Sequence, residues 1–267
     1  MSAEYLVADR GARSIRGVRS RSTLNRVAGL QLGVTRLPHA GARVPARSFV
    51  LVHGIGVSSR YFRPLAAELA AAGDVFLIDL PGYGFTPNPH RRVSIQEHAD
   101  VLAGFLELEG IPDPVLVGHS MGTQVVSRLA VDQPEITDRL VLLAPTTNPA
   151  ERTLPTQLRL LLADLPGESP AANLIVATDY LFRCGIPYFL SQVPNLLDDH
   201  MEERLPGVQA KTLVVRGTTD PIVPRDWAAS VTALIPDAEL RELPGAHVIM
   251  YSRPREVAAM IVEHGSA

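Results

Sequence analysis

Ser120 stands in the stretch VLVGHSMGTQ (residues 115–124) with a glycine two positions away on each side, Gly118 and Gly122. A serine hydroxyl attacks an acyl carbon only when a base takes its proton, and it must be presented to the substrate instead of being left inside a sheet. The spacing G-x-S-x-G meets the second need, because it allows a sharp strand-to-helix turn with the serine at the apex. Here the apolar run from Val115 to Gly118 reads as the strand, and the residues from Met121 read as the helix. A helix that starts directly after the serine aims its first amides and the positive end of its dipole at the place where an oxyanion would form.

Such an attack needs a base, a carboxylate to orient it, and donors for the oxyanion. Of the eight histidines, His39 and His90 lie in proline-rich loops, and His98, His200 and His264 lie on helical patterns, where they are expected at solvent. His247, in LPGAHVIM, follows the last strand and is the expected base. In the chain order Ser…Asp…His the carboxylate should end a strand between the other two. Asp220, in RGTTDPIVP, does so. Ala144-Pro145-Thr146-Thr147, after the preceding strand, offers no carboxylate, and Asp138 lies at that strand's opposite end. The second oxyanion donor is expected from His53-Gly54-Ile55-Gly56, whose glycines let the backbone turn and approach a substrate closely. The backbone N–H groups of Ile55 and Met121 form the expected pair, with His53 bracing its loop by hydrogen bonding.

The elements that must hold these residues follow from the apolar pattern. Short apolar runs (SFVLVHG, DVFLIDLPG, PVLVGHS, RLVLLAP, KTLVVRGTTD, AELRELPGAH) alternate with helical ones (FRPLAAELAAAG, SIQEHADVLAGFLELEG, MGTQVVSRLAVDQP, PRDWAASVTALIP, PREVAAMIVEH). That alternation predicts an α/β fold with a mostly parallel sheet covered on both faces. Ligands bind beyond the carboxyl ends of such strands, where the candidate residues fall. Ser94 and Glu97 predict a capping box at one helix start. Residues 146–208 break the alternation with helical runs (TLPTQLRLLLADL, AANLIVATDYLF, LDDHMEERL) separated by prolines and glycines. Such a segment is too long for a plain loop and predicts a helical cap insertion. The expected organisation is therefore a basic N-terminal arm with the first strands in 1–44, a core of 45–145 and 209–267, and the cap in 146–208. Leu161, Leu162, Tyr180 and Phe189 of the cap are candidates to line an apolar pocket.

The chain has 267 residues, 46% apolar and 20% charged, which fits one large soluble domain. No apolar run is long enough to span a membrane. Residues 1–50 carry nine arginines against Glu4 and Asp9. No aromatic or amphipathic pattern accompanies them, so a solvated lead-in is expected and not a nucleic-acid or membrane surface. RGARSIRGVRSRSTLNR also has the Arg/Ser-rich, acid-poor composition of a transit peptide, without the apolar core of a secretory signal. The single cysteine, Cys184, can form no intrachain disulfide, which fits a cytoplasmic location, and its apolar neighbourhood makes it a poor nucleophile.

Taken in order, HGIG (53–56), DLPGYG (79–84), GHSMG (118–122), GTTDPIVP (217–224) and GAH (245–247) resemble the α/β-hydrolase superfamily with a helical cap, over about residues 45–264. The resemblance implies Ser120 as nucleophile, His247 as base and acid, Asp220 as orienting carboxylate, and a covalent acyl-enzyme formed on small-molecule acyl substrates without metal or organic cofactor. Asp79 then reads as a structural hydrogen-bonding residue. Relatives that open epoxides or displace halide carry aspartate at the nucleophile position, which disfavours those activities. The expected activity is esterase-like. Carbon–carbon bond hydrolysis of a diketone, thioesterase and lactonase activities use the same triad. Members of the carbon–carbon group often carry asparagine before the serine, where this chain has His119. A ligand-binding receptor with a slow site is the alternative outside enzymology.

Overall fold

A computed structural model describes residues 8–41 and 47–266. The expected division between residues 44 and 45 and the first seven residues of the basic arm lie outside the described residues. The strands are β1 (Ala8–Ile15), β2 (Val18–Val27), β3 (Leu30–Leu37), β4 (Phe49–Val52), β5 (Val75–Asp79), β6 (Val115–His119), β7 (Arg139–Leu143), β8 (Lys211–Gly217) and β9 (Ala238–Leu243). They form one sheet in the order β1-β2-β3-β5-β4-β6-β7-β8-β9. β1, β2, β3 and β5 pair antiparallel, and every pairing from β5 through β4 to β9 is parallel.

The central strands β4, β5 and β6 are buried at every position, because helices cover both faces and neither face can be polar. Alternate residues of one strand serve opposite cores. Val50 and Val52 pack on one side with Leu102, Phe105 and Val125. Phe49 and Leu51 pack on the other with Leu65, Leu69 and Ile261. The helices supplying these faces are α1 (Arg63–Leu69), α2 (Ile95–Glu109) and α3 (Met121–Asp132), and, after the insert, α8 (Arg225–Leu234), α9 (Ile249–Ser252) and α10 (Pro254–Ser266). α2 begins with the expected capping box: Ser94 Oγ accepts from the Glu97 N–H, and Glu97 Oε2 accepts from the Ser94 N–H at 2.9 Å.

The arginine-rich stretch of the N-terminal arm is β1 and β2. The two strands are joined by Arg16 and Gly17, both at positive φ (49° and 88°), as a tight two-residue hairpin requires. β1 is the edge strand and is exposed at every position before Ile15. Arginines along such an edge discourage pairing with another chain, which gives the basic run a structural use.

Between β7 and β8 lies the helical insert: α4 (Leu154–Asp164), α5 (Pro170–Asp179), a π-helical turn (Tyr180–Cys184), α6 (Ile186–Asp198) and the short α7 (Met201–Arg204). α6 is absent from the sequence reading, where its prolines looked like breaks. Pro187 sits in the first turn, whose N–H groups need no intrahelical partner, and only Pro194 interrupts the helix interior. The run LDDHMEERL is not one helix: it is split at Asp199 and His200. Among the described residues no helix is long and apolar enough to cross a membrane.

Candidate active site

Ser120 is the hinge between β6 and α3. Its backbone sits at φ 54° and ψ −124°, a conformation that costs a non-glycine residue on the order of 1–3 kcal/mol. The surroundings hold it there. The Ser120 N–H donates to the Leu143 carbonyl at 3.0 Å, and the Ser120 carbonyl accepts from the Thr123 N–H at 2.9 Å and from Thr123 Oγ1 at 2.6 Å. A Cβ on Gly118 would collide with the Gly122 carbonyl and lie 2.7 Å from Thr123 N; one on Gly122 would collide with the Val52 carbonyl and lie 2.8 Å from that of His53. Because the obstacles are backbone atoms, Gly118→Ala is expected to cost about 3 kcal/mol or more, at the upper end of overpacking penalties. That predicts a melting temperature lower by roughly 6 °C or more. A change within 1 °C in a thermal melt would contradict this packing account.

Asp220 and His247 meet from loops after β8 and β9. His247 Nδ1 donates to Asp220 Oδ2 at 2.9 Å, and both residues are buried. Asp220 Oδ1 accepts from the Ile222 and Val223 N–H groups at 2.8 and 3.1 Å, so the carboxylate is fixed before it touches the imidazole. Burial alone would lower the His247 pKa. The Asp220 charge and hydrogen bond, helped by Asp164 and Glu168, outweigh burial and raise it to about 9.

The loop after β4 abuts the serine: a Cβ on Gly54 would lie 3.0 Å from Ser120 Cβ and 3.4 Å from Ser120 Oγ. His53 braces this loop as expected. Its Nε2 accepts from the Leu80 N–H at 3.1 Å, so the proton is on Nδ1, which donates to the Gly54 carbonyl at 2.7 Å. Asp79 is likewise a structural acceptor, taking the N–H groups of Ser59 (2.7 Å) and Phe85 (3.3 Å). A chain of bonds then joins the loop to the histidine. The Gly54 N–H donates to Tyr61 Oη at 2.9 Å, Tyr61 O–H donates to His119 Nδ1 at 2.8 Å, and His119 Nε2 donates to the His247 carbonyl at 3.0 Å. Burial holds His119 well below the ordinary imidazole pKa, in keeping with the neutral tautomer this chain requires.

Ser120, His247 and Ile55 border a cavity of about 90 Å³ between the loops and the insert. The insert contributes Leu161, Tyr180 and Phe189 to its wall, as expected. Leu162 does not line it and is 65% exposed. One residue along a helix turns a side chain by about 100°, which carries Leu162 from the cavity side of α4 to solvent. Gly56, at φ 77°, leaves room for the Tyr180 ring, which a Cβ there would strike. The insert is tied down by Asp179, fully buried, which accepts from the Ser58 N–H (2.9 Å) and Ser58 Oγ (2.5 Å) and pairs with Arg60 (2.6 Å).

Two expectations about histidines fail. His98 and His264 are buried, not at solvent. His98 shares the inward stripe of α2 with Ile95 and Leu102, and burial lowers its pKa to about 3. His264 is turned inward on α10, its Nε2 bonded to the Lys211 carbonyl at 3.1 Å. The sequence reading also missed two carboxyls of the insert. Asp164 Oδ1 accepts from the His247 N–H at 3.0 Å, and Glu168 Oε1 accepts from the Val248 N–H at 2.5 Å. No spacing in the chain announces them. Cys184 is buried and its thiol is pushed up to about 12 by burial, which removes it as a nucleophile.

A mostly parallel sheet that ends one central strand in a strained serine elbow, with an Asp-His pair after its last strands, is the architecture of a hydrolase. The chain belongs to the alpha/beta hydrolase family, whose profile matches residues 49–260. It is similar to the pyrrolizixenacetamide deacetylase of Xenorhabdus hominickii, 28% identical over 235 residues that cover 79% of this chain and 88% of that protein. It is also similar to the 2-hydroxy-6-oxononadienedioate/2-hydroxy-6-oxononatrienedioate hydrolase 2 of Pseudomonas putida, 29% identical over 226 residues, covering 73% of this chain and 79% of that one. Among solved structures, the enol-lactonase of Burkholderia xenovorans LB400 superposes with a TM-score of 0.77 at 18% identity, over 90% of this chain and 98% of the other.

Proposed function

We propose that this protein is a serine hydrolase of carboxylic esters or related acyl compounds. The observation that carries the reading is the shared cavity: Ser120 at its strained apex and His247, already bonded to Asp220, border the same space. Asp220 occupies Nδ1, so Nε2 of His247 is the nitrogen left to take the Ser120 proton. The Ser120 oxygen adds to the acyl carbon, and the resulting oxyanion is held by the N–H groups of Ile55 and Met121. His247 returns the proton to the leaving oxygen, and water then repeats the sequence on the acyl-enzyme to release the acid. Residues 146–208 act as a cap that closes the cavity over the acyl group, and the unpaired, buried Cys184 is in keeping with a cytoplasmic protein.

The wall favours a substrate with an apolar portion and no anionic group. Among the described residues no lysine or arginine borders the cavity, and Asp164 and Glu168 do. The substrate in the Pseudomonas relative's name is a dioate; beyond the His247 imidazolium its two carboxylates would find no cationic partner in this wall, and Asp164 and Glu168 would repel them. That ranks ester cleavage above carbon–carbon cleavage of a diacid. The test is labelling with a fluorophosphonate and turnover of short p-nitrophenyl esters by wild type and Ser120→Ala. Ser120-dependent labelling and turnover are expected. Absence of both overturns the reading, and turnover of a ring-fission dioate in preference to the esters favours the carbon–carbon reaction.

A further inference from the structure

Thr146 and Glu168, which border the cavity, each hold a buried side-chain oxygen without a hydrogen-bond partner among the described residues, Oγ1 and Oε2. Glu168 is only 9% exposed. Its Oε1 is taken by the Val248 N–H, so the second oxygen is the part of the carboxyl that the fold leaves unused. A buried polar atom left without a partner costs free energy, so its presence on a residue of the cavity wall marks a place for a ligand group.

We propose that Glu168 Oε2 is a subsite for a hydrogen-bond donor of the substrate, an amine or a hydroxyl carried on the leaving-group side. This rests on the assignment of Ser120 and His247 made above. The leaving-group side follows from position. Glu168 and Asp164 bind the backbone N–H groups of Val248 and His247, and His247 is the residue that hands its proton to the departing group.

The choice of a donor follows from charge. Glu168 and its neighbour Asp164 are both carboxyls, and among the described residues no lysine or arginine borders the cavity to attract an anion. Burial pushes Glu168 up to about 7; Asp164 and Asp220 push the same way, while the Val248 N–H and His247 pull it down. An ammonium on Oε2 would hold the carboxylate in its charged form and gain a charge-assisted hydrogen bond. A hydroxyl suits either form. A carboxylate would meet repulsion and no donor from the ionised form. Sites that hold a polar group in readiness discriminate strongly against analogues that leave it unpaired.

Two measurements separate this subsite from the catalytic reading. In the first, the hydrolysis of acetate esters of C4–C8 alkanols is compared with that of the ω-amino, ω-hydroxy and ω-carboxy analogues of equal length, in wild type and Glu168→Gln. Wild type is expected to prefer the amino or hydroxy ester over the alkyl ester by about tenfold or more in kcat/KM at one or more chain lengths, and to disfavour the carboxy ester. Glu168→Gln keeps an oxygen for the Val248 N–H and is expected to lower the amino-to-carboxy ratio at least tenfold. Each ratio is taken within one protein, so a general loss of activity cancels. In the second, C4–C8 alkylamines, alcohols and carboxylates are titrated calorimetrically into Ser120→Ala with and without Glu168→Gln, where no turnover is involved. Amine binding at least tenfold tighter than carboxylate binding, lost with Glu168→Gln, supports the subsite. Equal ratios in both backgrounds overturn it. Should Glu168→Gln fail to fold, the comparison without it decides: a preference for carboxylates, or none among the four groups, overturns the proposal. If wild type turns over no ester while amines still bind in a Glu168-dependent way, the catalytic reading fails and the subsite stands.

Discussion

Replacing Ser120 by alanine is expected to lower kcat by about 10⁵–10⁶-fold on any ester the protein turns over, the scale seen when a serine nucleophile is removed. No substitute is at hand. The Cys184 thiol is held protonated by burial. The loss is expected in chemistry and not in folding. The bonds that hold the elbow use the Ser120 N–H and carbonyl, which alanine keeps, and alanine meets the same backbone strain at φ 54°. The check is steady-state kinetics on p-nitrophenyl butyrate beside a thermal melt. A melting temperature within about 2 °C of wild type is expected, since neither packing nor backbone bonds change. Residual activity above a hundredth of wild type in a well-folded variant would remove Ser120 from the mechanism.

Asp220→Asn carries the next largest effect, a fall in kcat of about 10⁴-fold. The carboxylate does two things, and asparagine can do only one. Its Oδ1 receives the N–H groups of Ile222 and Val223, and an amide oxygen can still receive them. The other end then presents an NH₂ to His247 Nδ1 in place of an acceptor, so the imidazole carries its proton on Nε2 and cannot take one from Ser120. The variant also has a pH signature. On the proposed mechanism the neutral form of His247 is the base, and its pKa is raised to about 9. Below that value kcat/KM should climb with pH, by about tenfold per unit, and level off above it. Removing the Asp220 charge removes the largest of the terms that favour the imidazolium, so the midpoint of the residual activity should move to lower pH. A midpoint unchanged in Asp220→Asn would break the link between the pair and the base. Stability follows the same shift with the expected sign. A histidine whose folded pKa is raised stabilises most below its ordinary value of 6.5, and that contribution is lost as pH rises toward about 9. The wild-type melting temperature should therefore fall across that window, and less so in Asp220→Asn.

Distant parts of the chain hold the site together. His119, one residue before Ser120, ties the Gly54 loop to the His247 carbonyl through Tyr61. Asp179 and Glu168 pin the insert to the loops after β4 and β9. The reacting groups are thus held by bonds from both the sheet and the helices above it, which favours a preorganised site over one assembled by the substrate.

The glycines around Ser120, the strand-helix alternation, and the placement of Asp220 and His247 after late strands could all be read along the chain. Each is a local pattern: a turn that needs missing Cβ atoms, a burial period of a strand or helix, a polar residue just past an apolar run. Sequence order then turned a five-residue motif into an expectation for three residues. The tertiary structure decided what those patterns do not encode. Asp164 and Glu168 reach His247 and Val248 across 83 and 80 positions of chain, a contact set by how α4 and the turn after it lie over the sheet. Tertiary packing also turned Leu161 inward and Leu162 outward and buried His98 of α2 and His264 of α10. Local sterics and periodic burial act within a few turns of backbone. The phase and tilt of a helix laid across other elements are set only when its partners are present, and the groups that border this cavity were chosen at that stage.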